Sequence, residues 1–343
     1  MNIMFVAMDA GPSQALGIIQ REVLRRGHPI ATELGMGTPF HDGTVELVEK
    51  DAASCIGGKI LIGLSSSKER SREELAAAET ARSMGIPYGF MCCNYGEFRR
   101  PWFRDVIRDS SFLFTVCESD AQAAKEFAPK ATIVGSGNPV WASFFEWPMS
   151  RDEVRSRLGI APDEKLILCS GTKVVDINLA QWESVAHAAK RLRNLKLRVL
   201  LSRHPGEQNP PNDRYSEFVL NPAIQFLSGL NTSQALCGAD VLISGHSLTG
   251  IESACKRIPM IDFVSDAEEV EWRRLSGSND WPPAEQGASI LARDASYLAA
   301  TMRELLNTES PMAIIMRAAQ EQSFSLEAVQ GATKKIVDTL LDT

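Results

Sequence analysis

The sequence predicts an α/β protein built of two doubly wound, parallel-sheet domains. Three observations predict it. Short apolar runs alternate with stretches of helical periodicity along most of the chain. The alternation pauses over residues 141–164 and then begins again. At 343 residues, the chain also exceeds the roughly 250–300 residues at which one core stops growing. The expected division is 1–145 and 150–324, with the C-terminal helix, within 325–343, joining the first domain.

The elements follow in order. Residues 2–8 read as a strand and Asp9-Ala10-Gly11-Pro12-Ser13 as a turn with a helix cap. Ala15, Leu16, Ile18, Ile19, Val23 and Leu24 then recur at helical spacing up to Gly27. Strands are expected at 59–64, 87–93, 112–116 and 131–134, with helices at 72–84, stopped by Gly85, and at 121–127. After a helix at 151–158 the second series begins: strands at 166–169, 197–201, 240–243 and 259–263, and helices at 179–192, 248–256, 298–306 and 326–341.

Composition narrows the function classes. Hydrophobic residues make up 44% and charged residues 23%, an ordinary globular balance. With 36 Lys and Arg against 43 Asp and Glu, the net charge is −7, which argues against nucleic acid as a partner. Two local basic groups, Arg99/Arg100/Arg104 and Arg21/Arg25/Arg26, read as solvated faces. The 7 cysteines are odd in number, lie mostly in apolar runs and form no C-x-x-C pair. They imply reduced, buried thiols, a cytoplasmic setting and no structural metal. The start of the chain lacks a signal-peptide pattern, and no apolar run reaches the roughly 20 residues of a membrane span. Peripheral membrane contact and a homodimer are compatible with this composition.

The segment with most chemistry is 239–263. A strand ending at Ile243 leads into Ser244-Gly245-His246-Ser247 and then a helix. Small residues let backbone approach an anion, and the first helical turn presents unpaired amides at the positive dipole end. Ser247 and Thr249 add hydroxyls, and Glu252 lies one turn further, within reach of ribose hydroxyls. A capped helix in a plain α/β domain explains the same residues. Two further strand ends, Ser170-Gly171-Thr172 and Arg203-His204-Pro205, should meet it on the carboxyl edge, where open parallel sheets bind ligands. Arg203 is suited to a diphosphate, and His204 to donating to a phosphate or moving a proton. No G-x-G-x-x-G follows the first strand, which counts against a dinucleotide-dependent dehydrogenase.

These residues resemble the C-terminal domain of GT-B glycosyltransferases and of the related UDP-N-acetylglucosamine 2-epimerases. The resemblance is carried by Ser244-Gly245-His246-Ser247 with Glu252, by Arg257-Ile258-Pro259-Met260, by Gly137-Asn138-Pro139-Val140, by the strand and glycine turn at 166–172, and by the His-Pro turn closing 201–205. It implies two Rossmann-like domains facing a cleft, and a nucleotide-sugar, by these families a UDP-sugar, as substrate without a metal or further cofactor. By the resemblance, Ser247, Leu248, Thr249 and Gly250 contact the diphosphate, Glu252 holds the ribose, residues 226–230 seat the base, and His204 matches the epimerase histidine near the phosphate. The donor-side set also takes in Gly11, Ser13, Gly171, Thr172, Arg203, Ser244 and His246.

The N-terminal domain would then hold an acceptor of unknown identity and the catalytic base. Gly11-Pro12-Ser13 looks like the families' glycine-rich first loop but lacks its histidine. Asp9, Glu97 and Glu118 are the candidate carboxylates, each also explicable as a turn or cap residue. The expected activity is sugar transfer, inverting or retaining. The alternatives are a UDP-sugar 2-epimerase and a non-catalytic nucleotide-sugar-binding protein of the same fold.

Overall fold

The computed structural model describes residues 2–34, 44–207, 215, 218 and 221–342. The chain forms two compact units. One comprises Met1–Ala142, Arg273–Asn279 and Glu327–Thr343; the other comprises Ser143–Trp272 and Asp280–Leu326.

The first unit holds a six-stranded parallel sheet of β1 (Ile3–Val6), β2 (Ile30–Leu34), β3 (Lys59–Gly63), β4 (Tyr88–Met91), β5 (Phe112–Thr115) and β6 (Thr132–Gly135). The order is β2-β1-β3-β4-β5-β6, so the winding reverses between β1 and β3. Strands β1, β3, β4 and β5 are buried along their whole length. This is why each reads as an unbroken apolar run: helices cover both faces of a parallel sheet. The helix Ala10–Arg25 packs Ala15, Leu16, Ile19 and Val23 on one face, together with Ile336, Val337 and Leu340 of the C-terminal helix Ala332–Asp342. Arg26 pairs with Asp338 at 2.6 Å, and Lys59 donates to the Leu340 carbonyl at 2.6 Å.

The second unit holds β7 (Lys165–Ser170), β8 (Leu197–Ser202), β9 (Ile224–Phe226), β10 (Val241–Ser244), β11 (Met260–Phe263) and β12 (Ile290–Ala292). Its order is β12-β11-β10-β7-β8-β9, again all parallel. That is the doubly wound dinucleotide-fold order, with its switch point between β7 and β10. Trp182 and Val185 of the helix Val175–Arg191 and Leu298 and Met302 of the helix Ala295–Leu305 lie in the same buried cluster as Ile167, Val199 and Ile243.

Several expectations change. Residues 10–13 are not a turn; the helix begins at Ala10, directly after Asp9. Proline suits a first helical turn because its missing N–H has no acceptor there anyway. The helix expected over 326–341 is two, Leu326–Gln330 and Ala332–Asp342, interrupted at Gly331, the poorest helix former after proline. Gly85 does stop its helix, at φ 67°. The sequence reading passed over β2, β9 and β12, all sheet-edge strands, and the helices Thr44–Ser54, Asp266–Ser276 and Pro311–Ser323.

Candidate functional site

In the second unit the carboxyl ends of β7 and β10 converge at the switch point. Ser170, the last residue of β7, donates from Oγ to Thr249 Oγ1 at 3.4 Å. Thr249 lies in the first turn of the helix Leu248–Cys255, which follows β10. Ser247 is the N-cap, and its Oγ accepts from the Thr249 N–H at 3.1 Å. The Gly250 N–H donates to the Ser247 carbonyl at 3.0 Å, and the His246 N–H to Glu268 Oε1 at 2.8 Å. The expectation that several amides after residue 246 stand open for an anion is therefore narrowed. Thr249 and Gly250 are closed by the protein, and the N–H groups of Ser247 and Leu248 meet no acceptor among the described residues. Residues 246–249 are nonetheless partly exposed, so the dipole end and the two hydroxyls face solvent.

The remaining donor-side residues divide. Ser244 is fully buried and its Oγ donates to the Gly245 carbonyl at 3.1 Å, so its hydroxyl is spent inside the loop. The His246 side chain is 3% exposed. Its ring lies 4.9 Å from Trp272 and 5.0 Å from Trp281, which makes it a packing group rather than a ligand contact. Gly171 donates its N–H to the Ser202 carbonyl at 2.8 Å, and Thr172 its N–H to Asn178 Oδ1 at 2.6 Å. The turn after β7 is thus closed by Asn178, itself fully buried.

Glu252 is 7% exposed. Ser233 donates to its Oε2 at 2.5 Å, and Lys256 Nζ lies 3.8 Å from Oε1. Burial pushes its carboxyl above the ordinary range, while Ser233 and Lys256 pull the other way. Arg203, at the end of β8, is exposed but engaged: its Nε donates to Glu207 Oε2 at 3.3 Å, and its guanidinium lies 5.2 Å from the Tyr215 ring centre. His204 Nδ1 accepts the Gly206 N–H at 2.9 Å. Burial and then Lys173 lower its pKa. A neutral ring accepting at Nδ1 carries its proton on Nε2, so His204 is a hydrogen-bond donor through that atom. Residues 226–230 begin at the last residue of β9 and are partly or fully exposed.

In the first unit the switch point is also polar, but it is closed. Asp9 Oδ2 accepts from the Ser66 N–H at 2.7 Å and the Ser66 hydroxyl at 2.6 Å, and Oδ1 from Arg70 at 2.9 Å. Beside it, fully buried Glu74 accepts from the N–H groups of Met8 (3.0 Å) and Ser65 (2.9 Å) and from the Ser65 hydroxyl (2.8 Å). Burial outweighs those donors and drives its carboxyl up to about 8. Gly11 has open space where a Cβ would stand, and Ser13 Oγ donates to the Ala7 carbonyl at 3.1 Å.

Glu97 does not stand at an open edge. Its Oε2 accepts from the Cys93 N–H at 2.6 Å and its Oε1 from Arg100 at 2.8 Å, both side chains being buried. Burial raises its pKa, with Arg100 opposing. Glu118, in the first turn of the helix after β5, is exposed and makes no hydrogen bond among the described residues. Asn138 of the Gly-Asn-Pro-Val run donates to the Cys93 carbonyl at 2.8 Å and accepts from Val140 N–H at 2.9 Å, so that motif clamps the end of β4.

A cavity of about 470 Å³ lined by Arg151, Arg155, Lys165 and Asp240 opens at the opposite, amino ends of β7 and β10. Asp240 already pairs with Arg151 (2.7 Å) and Arg155 (3.3 Å), and no carboxyl-edge residue lines it. The carboxyl edge is the better candidate.

Sequence reasoning missed Glu268, Asp262, Trp272 and Trp281, which lie behind the His246 loop. Trp281 Nε1 donates to Asp262 Oδ2 at 2.8 Å, and burial pushes the fully buried Asp262 up to about 7. A signal for Glu268 was present: Ser265-Asp266-Ala267-Glu268 has capping-box spacing, and the Glu268 N–H does donate to Ser265 Oγ at 3.2 Å.

No family model matches the chain, and no curated protein does. Solved structures do. UDP-GlcNAc 2-epimerase from Neisseria meningitidis, solved bound to UDP-GlcNAc, is similar over 100% of both chains with a TM-score of 0.66 and 13% identity. The S. aureus MnaA–UDP structure is similar over 99% of this chain and 95% of its own, with a TM-score of 0.70 and 12% identity. A glycosyltransferase from Rickettsia africae is similar over 100% and 99%, with a TM-score of 0.64 and 12% identity. At these identities the likeness shows the fold: two-domain, α/β and GT-B-like. Among the described residues no helix is long and apolar enough to cross a membrane.

Proposed function

We propose that this protein is a metal-independent glycosyltransferase of GT-B type that draws on a nucleotide-sugar, a UDP-sugar, held at the switch point of the second unit. The observation that carries the reading is the meeting of Ser170 and Thr249 at 3.4 Å. It puts two hydroxyls and a helix dipole end at the place where this strand order binds ligands. Neighbours of the same fold bind UDP-GlcNAc and UDP, which supports a nucleotide of that kind here.

Ser247, Thr249 and the Leu248 N–H would face the diphosphate, with the Nε2–H of His204 as a further donor. Glu252 would accept from the ribose by exchanging its bond to Ser233. Arg203 would reach the diphosphate by leaving Glu207. In the reaction, an acceptor oxygen forms a bond to the anomeric carbon as that carbon's bond to the diphosphate oxygen breaks. The leaving diphosphate keeps the electron pair, and these donors offset its charge. The acceptor proton passes to a carboxylate. Glu118 is the candidate whose carboxylate is uncommitted, whereas Asp9 and Glu97 already hold the loops after β3 and β4.

One observation favours a second reading. A neutral His204 at the end of β8 matches the histidine of the resembling UDP-sugar 2-epimerases. One experiment separates the readings: UDP-GlcNAc incubated with the protein and followed by NMR, with and without a panel of acceptors. Turnover that needs an acceptor supports transfer, and change at C2 without one supports epimerisation. Binding with no turnover in any arm would leave a binding protein of this fold. No binding of any nucleotide diphosphate would overturn the proposal.

A further inference from the structure

We propose that Glu268 is a positioning residue for the phosphate-facing loop Gly245-His246-Ser247; the inference rests on the nucleotide-binding reading above. Glu268 stands in the first turn of the helix Asp266–Ser276, after β11, not on the loop's own strand or helix. Its Oε1 accepts the His246 N–H at 2.8 Å and lies 3.3 Å from His246 Nδ1. One oxygen therefore holds the backbone of His246 and stands beside its ring, whose Nδ1 makes no hydrogen bond among the described residues. The side chains of both partners are nearly buried, 3% and 6% exposed, so solvent does not screen the contact.

Gly245 makes this possible. A Cβ there would stand 2.4 Å from Glu268 Oε1 and 2.7 Å from its Cδ. Only glycine lets the carboxylate close on the loop. The His246 ring is packed between Trp272 and Trp281, which fixes the loop from behind.

The consequence for binding is directional. An amide that could have faced an anion is turned inward onto a carboxylate, and the next residues, Ser247 to Thr249, are partly exposed. Glu268 touches no ligand in this arrangement. It determines which groups of the turn face outward, and a loop held in advance loses less entropy on binding.

The test compares wild type with Glu268→Gln, Glu268→Ala and Gly245→Ala. UDP affinity is read by calorimetry, and amide hydrogen exchange over residues 244–250 is read in the ligand-free protein. A Gln side chain keeps an acceptor oxygen for the His246 N–H; Ala removes it. Gly245→Ala displaces the carboxylate without deleting it, and decides the matter if Glu268→Ala does not fold. Expected are near wild-type affinity and exchange for Gln, with affinity about tenfold weaker and faster exchange for Ala and for Gly245→Ala. Unchanged affinity and exchange in both Glu268→Ala and Gly245→Ala would overturn the inference. If wild type binds no UDP, the functional proposal falls, while the exchange arm still decides whether Glu268 orders the loop.

Discussion

Ser170 and Thr249 join the end of β7 to the helix that follows β10 through a 3.4 Å contact between hydroxyls. If this turn receives a diphosphate, Thr249→Val removes a hydroxyl at nearly constant shape. UDP binding should weaken by about 1 kcal/mol, roughly fivefold, with Ser170→Ala showing a smaller loss. Calorimetry decides; equal affinity in both variants would exclude this turn from the site.

Glu252 and Lys256 form a buried pair whose value is structural as well as functional. The Lys256 side chain is fully buried, and its Nζ donates to the Phe144 carbonyl at 2.6 Å and to the Glu146 carbonyl. Glu252→Ala leaves that cation without its carboxylate and should destabilise the unit by about 3 kcal/mol, besides weakening UDP binding. Glu252→Gln keeps an acceptor for Ser233 and should cost less. Urea unfolding with and without UDP separates the two effects, and an unchanged midpoint in Glu252→Ala would show that the pair contributes nothing.

Stability should fall as pH rises from acid to neutral. Asp262 is raised from an ordinary 3.8 to about 7, and Glu74 from 4.5 to about 8. A carboxyl raised in the folded state binds its proton more tightly there than in the unfolded chain. Its contribution is fully present below the unfolded value and is lost as pH rises through the folded one. Melting temperature should therefore decline between about pH 4 and pH 8 on account of these two groups. Asp262→Asn, which mimics the neutral acid, should flatten the decline; a slope identical to wild type would contradict a raised Asp262.

The three carboxylates of the first unit should behave differently. Glu97→Ala strands Arg100, whose side chain is 6% exposed, and should cost about 3–5 kcal/mol of stability. Asp9→Ala frees Ser66 and Arg70 and should destabilise to a lesser degree. Glu118→Ala should leave the melting temperature unchanged and lower turnover. A fully active Glu118→Ala would place the base elsewhere.

The interior of both sheets was legible in the sequence because strands buried on both faces must be apolar throughout. Lys59–Gly63 and Lys165–Ser170 differ by at most one residue at either end from their expected positions. The edge strands Ile30–Leu34, Ile224–Phe226 and Ile290–Ala292 were not legible. An edge strand pairs on one side only, and two of these have 3 residues each, too short to show a period. The charged helix Asp266–Ser276 has few apolar positions, so periodicity passed over the element that carries Glu268.

The sequence by itself determined the α/β alternation, the restart of the pattern after the linker and the three polar strand ends, since burial dictates residue type locally. The tertiary structure alone decided which polar groups are spent inside the protein and which face outward. Glu268 and Asn178 reach their partners across 22 and 6 positions of chain, and Arg100 reaches the Leu64 carbonyl across 36, and hydrogen-bond partnership between separate elements leaves no periodic trace. That is why His246 and Glu97, suited by type to a ligand or a proton, prove to be held within the fold, while Thr249 and Glu118 stand at its surface.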